Sequence, residues 1–225
     1  MKKMHKRAMA LCLTAALCSG LFAGCGGEKN TAETQQATEA QAADVQTESS
    51  DIYVEKIDGI SDDFIRGMDA SEVLSLENSG VKYYDYDGNE QDIFKTLADS
   101  GVNYIRLRVW NDPYDKDGNG YGGGNCDLNT AVELGKRATK YGMKVNIDFH
   151  YSDFWADPKR QNCPKAWEGM DLEQKKEALY QFTKDSLNTL LDAGVDVEMV
   201  QIGNEINYGL AGEKLQPNIM QLLKK

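Results

Sequence analysis

From residue 64 onward, segments typical of β-strands alternate with segments typical of amphipathic helices, and this order constrains the fold more than any other feature. The second strand shows the pattern most clearly, because Ile105, Leu107 and Val109 alternate with polar or aromatic residues. Alternation of strands and helices, with enlarged loops after the strands, is typical of parallel α/β folds. The predicted strands cover residues 64–69, 102–110, 144–150 and 197–203, and the predicted helices cover residues 92–100, 129–141, 171–193 and a segment after Pro217.

Two features favour a barrel over an open, doubly wound sheet. No glycine-rich phosphate-binding sequence follows the first strand, and polar residues accumulate at the C-terminal ends of all four strands. In a (β/α)8 TIM barrel those ends surround one pocket, whereas an open sheet gathers only the strands at its switch point. Such barrels have eight strands and about 250 residues. We therefore predict that residues 53–225 form about the first four β/α units of a TIM barrel, which makes the barrel truncated in this sequence.

The first 24 residues have the layout of a secretory signal. A cationic stretch from Lys2 to Arg7 precedes sixteen uncharged residues, which is short of the roughly 20 that span a bilayer. The segment Leu21-Phe22-Ala23-Gly24-Cys25 resembles a bacterial lipoprotein box, in which the chain is cleaved before the cysteine and the cysteine is lipidated. We predict a signal peptide at residues 1–24 and a secreted protein anchored to the bacterial cell surface through Cys25. In the alternative, a plain signal peptide is cut nearby and Cys25 has no role.

Residues 25–52 differ in composition from the rest of the chain. They are dominated by Ala, Thr, Gln, Glu and Ser and contain few large apolar side chains. Such a segment cannot bury enough apolar surface to offset the entropy lost on ordering, so we predict a disordered acidic tether. The whole chain has a formal net charge of −11. This balance argues against a nucleic acid as its partner, because phosphate binding needs clustered cationic side chains.

The end of the fourth strand carries residues suited to acid–base chemistry. Asn204 and Glu205 directly follow this strand. A carboxyl group at the mouth of a barrel can protonate a glycosidic oxygen if burial or a neighbouring carboxylate keeps its pKa high. The neighbouring amide of Asn204 can donate a hydrogen bond to a sugar hydroxyl.

Four segments, taken together, resemble glycoside hydrolase family 53, the arabinogalactan endo-β-1,4-galactanases. The resemblance runs from about Phe64 to the last residue, and its third segment is long and specific. It implies an endo-acting enzyme that cleaves β-1,4-galactan, the side chains of pectin, with retention of anomeric configuration. No cofactor, metal ion or protein partner is expected. The segments are Arg66-Gly67-Met68-Asp69-Ala70-Ser71, Arg106-Leu107-Arg108-Val109-Trp110, Asp148-Phe149-His150-Tyr151-Ser152-Asp153-Phe154-Trp155-Ala156-Asp157-Pro158 and Gln201-Ile202-Gly203-Asn204-Glu205-Ile206-Asn207.

The resemblance assigns roles to residues of the second and fourth strands. Glu205 matches the general acid/base, and Asn204 matches the residue that binds the sugar beside the nucleophile. Arg106 matches an arginine near the nucleophile, whose carboxylate a guanidinium would keep ionised. Arg108 points the same way by strand alternation, and the sequence does not separate the roles of the two arginines. Either arginine could instead form a salt bridge inside the barrel.

Other candidate pocket residues have two readings each. His150 would hydrogen-bond the substrate or orient a carboxylate, or it is a structural histidine. Trp155 could stack its indole on a galactose ring, although a packing role in its loop is nearly as good an explanation. Asp69 and Asp153 are plausible pocket carboxylates, but capping or loop hydrogen bonds explain them equally well.

A retaining glycosidase needs a second carboxylate, about 5–5.5 Å from the first, as its nucleophile. The resemblance implies a glutamate at the end of the seventh strand, beyond the last residue of this sequence. We therefore expect the 225-residue chain to be inactive by itself and its fourth strand to expose an unpaired edge. Two alternatives stay open: a non-catalytic or degenerate surface lipoprotein that binds glycans, and a hydrolase of the same fold that acts on mannan or xylan.

Two features away from the strand ends also have competing interpretations. The segment Asp115-Lys116-Asp117-Gly118-Asn119-Gly120 resembles the start of an EF-hand calcium loop, but position 12 is Cys126 rather than Glu. A turn rich in Gly and Asp is the default interpretation there. Cys126 and Cys163 lie in loops at the same end of the predicted barrel, and secretion would allow a disulfide between them.

Overall fold

Four parallel strands form one sheet in which each strand pairs with its neighbours along the chain, in the order β1-β2-β3-β4. The structure is a computed structural model that describes residue 55, residues 57–214 and residues 216–224. The chain divides into two units, residues 1–55 and 56–225, and every element named here belongs to the second. The elements are β1 (Gly67–Asp69), α1 (Val73–Asn78), α2 (Ile93–Asp99), β2 (Tyr104–Val109), α3 (Leu128–Lys140), β3 (Lys144–Phe149), a 3-10 turn (Lys165–Trp167), α4 (Leu172–Asp192), β4 (Val197–Ile202) and α5 (Gln216–Leu222).

The two faces of the sheet differ sharply, as the alternation of the sequence predicts. On β2, the side chains of Ile105, Leu107 and Val109 are fully buried on one face, against which α3 packs. Arg106 and Arg108 lie on the opposite face, which in a closed barrel is the interior. The register of β2 and β3 runs without a break from Tyr104 and Lys144 to Val109 and Phe149. The C-terminal ends of these strands therefore lie at one edge of the sheet.

Aspartate side chains cap three of the helices. Asp92, Asp127 and Asp171 each accept a hydrogen bond from a backbone N–H in the first turn of α2, α3 and α4. At α4 the side chain of Gln174 returns a hydrogen bond to the cap, which completes a capping box. Each such cap satisfies a donor that the first turn leaves without a partner, and it contributes about 1 kcal/mol.

Close packing of α3 against the segment that enters β4 depends on a glycine. A Cβ atom at Gly135 would lie 2.7 Å from Cγ1 of Val195. Leu134 and Ala138 are fully buried on the same helix. An alanine at position 135 would force α3 away from this layer, because well-packed cores yield little to an added methyl group.

The predicted elements are observed, with differences at their ends. The first strand is shorter than predicted and covers only Gly67–Asp69. Helix α1 was not predicted, and α5 begins at Gln216 rather than after Pro217. Proline is tolerated in the first turn because the N–H that it lacks has no partner there.

The sheet ends at β4 within the described residues, and the outer face of this strand is partly uncovered. Val200 and Ile202 alternate with interior-facing residues and therefore lie on the outer face of β4, where they are 39% and 49% exposed. Among the residues that the structure describes, no helix is long and apolar enough to cross a membrane. The predicted signal peptide, the predicted lipidation site Cys25 and the whole of the predicted tether lie outside those residues.

Candidate active site

One guanidinium group joins all four strands at the C-terminal edge of the sheet. Nη1 of Arg106 on β2 donates a hydrogen bond to Oδ2 of Asp69 on β1 at 2.5 Å, and Nη2 donates to Oδ2 of Asp148 on β3. Nε donates to Gln201 on β4 at 3.3 Å, and Nη2 also reaches Oδ1 of Asn204, just beyond β4, at 3.1 Å. The strand ends therefore converge on one polar cluster, as the barrel hypothesis predicts.

Asp148 and His150 form the buried base of this cluster. Both side chains are fully buried, and Nε2 of His150 lies 3.0 Å from Oδ2 of Asp148. Nδ1 of His150 accepts hydrogen bonds from Nε1 of Trp110 at 3.1 Å and from the backbone N–H of Ala156 at 3.0 Å. Because Nδ1 is an acceptor twice, we assign the proton to Nε2, which then donates to Asp148.

This contact with Asp148 fits two of the interpretations that the sequence allowed for His150, a histidine that orients a carboxylate and a structural histidine. Its ring has no exposed surface, so direct contact with a sugar is not what this arrangement provides. The loop that follows β3 covers the imidazole, because it places Trp155 edge-on to the ring at a centroid distance of 5.7 Å.

Arg108 has different partners from Arg106, so the structure separates the two arginines. Nη2 of Arg108 donates to Oε1 of Glu72 at 3.1 Å, and Nε lies 3.7 Å from Oδ2 of Asp69. The guanidinium stacks on the indole of Trp155 at 4.6 Å, within the range of a cation–π interaction. Arg108 is buried, whereas the indole of Trp155 remains 38% exposed. The partly exposed indole of Trp155 therefore packs against the buried guanidinium group of Arg108.

Asp69 lies between the two arginines and is held in its ionised form. Burial alone would raise the pKa of its carboxyl group. The side-chain and backbone hydrogen bonds from Ser71, together with the positive charges of Arg108 and Arg106, outweigh burial and keep this pKa below its usual value. Asp69 is therefore an anion that fixes both guanidinium groups.

Asn204 and Glu205 form a tight turn at the end of β4. Asn204 is buried, and its Nδ2 donates to the carbonyl of Ala156 at 2.8 Å while its Oδ1 accepts from Arg106 and Gln201. Glu205 is exposed and has a φ of +51°, in the left-handed region that a residue with a side chain rarely adopts. This conformation costs about 1 kcal/mol, so the surrounding contacts must hold it.

Two glutamines of the site were missed by sequence reasoning. Gln201 links Arg106 to Asn204. The alternation of side chains along β4 places Gln201 on the interior face, and that pattern could have identified it as a site residue. Gln161 donates to the carbonyl of Asn204 at 2.8 Å from a long loop. No periodicity or motif marks Gln161 in the sequence.

The structure does not bring Asp153 into the cluster around Arg106. Its carboxylate accepts hydrogen bonds from the backbone N–H groups of Asp112, at 3.1 Å, and Lys165, at 2.7 Å. Burial raises the pKa of this carboxyl group. Loop hydrogen bonds, the second of its two readings, therefore account for Asp153.

The calcium-like segment is a turn. Asp115 accepts hydrogen bonds from the backbone N–H groups of Asp117 and Asn119, at 2.9 Å and 2.8 Å, so its carboxylate satisfies the turn itself. In the described ranges, no cluster of His, Cys, Asp or Glu could hold a metal ion.

The disulfide that the sequence allowed is not formed, because Cys126 and Cys163 are both free thiols. Sγ of Cys126 is buried and lies 3.4 Å from the carbonyl oxygen of Gly123 and 3.7 Å from that of Ser71. Burial raises the pKa of Cys126 to about 12, so this thiol is uncharged at neutral pH and is not a nucleophile.

Comparison with known proteins identifies relatives of this chain. Residues 65–225 match glycosyl hydrolase family 53. The endo-β-1,4-galactanase of Bacillus subtilis is 54% identical over 177 residues, which are 79% of this chain and 41% of that protein. The arabinogalactan endo-β-1,4-galactanase of Humicola insolens is 41% identical over 145 residues, which are 64% of this chain and 41% of that protein.

Solved structures agree with these sequence matches. The GH53 catalytic domain of Ignisphaera aggregans superposes with a TM-score of 0.72 at 45% identity, over 76% of this chain and 48% of that chain. A fungal β-1,4-galactanase superposes with a TM-score of 0.65 at 40% identity, over 71% of this chain and 47% of that chain. The chain thus spans about two-fifths of the length of these curated relatives and about half of the solved domains.

Proposed function

This chain belongs to glycosyl hydrolase family 53, and we propose that the protein that carries it is a retaining endo-β-1,4-galactanase in which Glu205 is the general acid/base. The family fold is a (β/α)8 barrel, and the four parallel strands are consecutive strands of it. One observation carries the proposal. The exposed Glu205 follows a buried asparagine that is hydrogen-bonded to Arg106, and Arg106 in turn contacts the ends of all four strands.

Glu205 acts twice in this mechanism. Its protonated carboxyl group donates a proton to the leaving glycosidic oxygen, and the resulting carboxylate then takes a proton from the water that releases the covalent intermediate. The nucleophile is a second carboxylate, which the resemblance implies to be a glutamate outside this sequence. Asp69 and Asp148 are poor candidates for that role, because both are held in ion pairs with Arg106.

The remaining residues of the cluster bind the sugar or hold the groups that do. The partly exposed indole of Trp155 offers an apolar surface for a galactose ring, with Arg108 packed behind it. Asn204 lies beside Glu205, and its buried side chain holds that turn through hydrogen bonds with Ala156, Arg106 and Gln201. Arg106, fixed by Asp69 and Asp148, presents positive charge to the nucleophile and favours its ionised form. Asp69 acts through Arg106 and Arg108 rather than on the substrate.

Reducing-sugar assays on β-1,4-galactan, mannan and xylan test the substrate. We expect the full-length protein to release reducing ends from galactan and at least 10-fold fewer from the other two, because a site built to hydrogen-bond one set of hydroxyls rejects others strongly. The 225-residue polypeptide made alone should release none, since the resemblance implies a second carboxylate outside it. Hydrolysis of only mannan or xylan would refute the proposed substrate, and binding without hydrolysis by the full-length protein would favour the glycan-binding alternative.

We also propose that the protein is anchored to the membrane through a lipid on Cys25. The change Cys25→Ser should move the full-length protein from the membrane fraction to the soluble fraction, because acyl chains supply the membrane affinity. Immunoblots of separated fractions measure this distribution. The matched control is Cys18→Ser, in the predicted leader, which should leave the distribution unchanged. Equal membrane association of both variants would contradict the anchor.

A further inference from the structure

The side-chain amide of Gln161 is a buried donor that faces only backbone carbonyl groups. Its Nε2 lies 2.8 Å from the carbonyl oxygen of Asn204, 3.1 Å from that of Asp157 and 3.4 Å from that of Glu205. Gln161 is 9% exposed, and its Oε1 has no hydrogen-bond partner among the described residues. An amide held this way is oriented by its donor, because the opposite orientation would place an oxygen against three acceptors.

The two carbonyl groups that Gln161 contacts near the site flank the Cα atom of Glu205. In an extended chain, successive carbonyl groups point in opposite directions, and one donor cannot reach both. At Glu205, where φ is +51°, both carbonyl oxygens lie within 3.4 Å of the one donor. A second donor, the backbone N–H of Asn207, reaches the carbonyl of Glu205 at 2.9 Å. Gln161 thus binds the peptide groups on both sides of the residue whose backbone is strained.

Gln161 is itself held by the loop that follows β4. Its carbonyl oxygen accepts a hydrogen bond from the backbone N–H of Gly212 at 2.8 Å. A Cβ atom at Gly209 would lie 2.7 Å from Cβ of Gln161, so the close approach requires a glycine there. The loop after β4 therefore contacts both the backbone and the side chain of Gln161.

We propose that Gln161 is a positioning residue that aims the carboxyl group of Glu205 by holding this left-handed turn. The inference rests on the proposed function, in which Glu205 protonates the leaving group. Gln161 does not touch the substrate in this role. It acts on the backbone, and the direction of the Cα–Cβ bond of Glu205 follows from φ and ψ.

The test uses substrates that differ in their need for a proton. In the full-length protein, Gln161→Met keeps the length of the side chain and removes the donor. The value of kcat/KM on galactan should fall about 100-fold, since small misplacement of a catalytic group has an effect of that order. On an aryl β-galactobioside whose leaving group departs without protonation, kcat/KM should change by less than about 3-fold, because general acid catalysis no longer contributes. Gln161→Glu places a carboxylate against the three carbonyl oxygens, and it should change the two kcat/KM values in the same way.

The matched control is Gln181→Met on the exposed face of α4, which should change neither value. If the Gln161 variants lose activity equally on both substrates, through misfolding or any general defect, or lose none, the positioning role is wrong. If the unaltered full-length protein cleaves neither substrate, the proposed function fails first. The aryl substrate therefore distinguishes the two failures.

Discussion

Replacing Glu205 by Gln in the full-length protein should lower kcat/KM on β-1,4-galactan by about 10³-fold, because a positioned general acid contributes roughly 10²- to 10⁴-fold. The amide keeps the size of the side chain but cannot transfer a proton. The defect should almost vanish in kcat/KM for the aryl β-galactobioside, whose leaving group needs no proton. Initial rates on both substrates measure the effect.

Glu198→Gln is the control for this prediction, because it makes the same chemical change near the opposite end of β4. Its side chain is exposed and pairs with Lys144 at 2.5 Å. Exposed pairs of this kind contribute about 0–1 kcal/mol, so activity should be unchanged. An activity loss of similar size in both variants, or full activity of Glu205→Gln on galactan, would remove Glu205 from the proposed role.

The parts of the fold that were predictable have a strong period in the sequence. Strand β2 was predicted over residues 102–110 and observed at Tyr104–Val109, because alternating apolar residues can be buried on only one face. Helix α1 was missed for the opposite reasons. It has only six residues, and no side chain caps its start at Glu72. Tertiary contacts hold it instead: Val73 is buried, and Glu77 receives two hydrogen bonds from Arg137, both at 2.7 Å.

The site was predictable as a location but not as a set of contacts. Strand alternation placed Arg106 and Arg108 on the interior face, yet it could not assign Asp148 to one and Glu72 to the other. Those partners depend on the path of loops, since Glu72 lies between β1 and α1. The burial of His150 follows from the loop after β3, which covers it with Trp155. The role inferred for Gln161 required coordinates, because the two of its acceptors that belong to the turn at Glu205 are carbonyl groups 43 and 44 residues away.

Charge in the cluster is arranged so that each cation has an anionic partner of its own. Arg106 and Arg108 both interact with Asp69. In addition, Arg106 pairs with Asp148, and Arg108 pairs with Glu72. Asp148 is the only one of these three carboxylates that is fully buried. The Asp148 carboxylate therefore balances the charge of Arg106 on the side of the guanidinium that water does not solvate.

Asp148→Asn should consequently lower the free energy of unfolding of the full-length protein by about 3 kcal/mol, the lower end of the range for breaking a buried ion pair. The amide has nearly the same shape, so the loss reports charge rather than a cavity. It leaves Arg106 with one partly exposed carboxylate and His150 with a neutral acceptor. Urea unfolding, followed by intrinsic tryptophan fluorescence, measures the change at constant slope.

Asp99→Asn is the matched control, since this exposed aspartate pairs with Lys95 at 2.6 Å along α2 and should contribute only about 0.3–0.5 kcal/mol. If both variants cost the same, the charge of Asp148 does not hold Arg106, and Asp69 is the one carboxylate of the described cluster that does. That result would also weaken the proposed mechanism. An Arg106 whose one charged partner is the partly exposed Asp69 would be held less firmly beside the nucleophile whose ionisation it is proposed to favour.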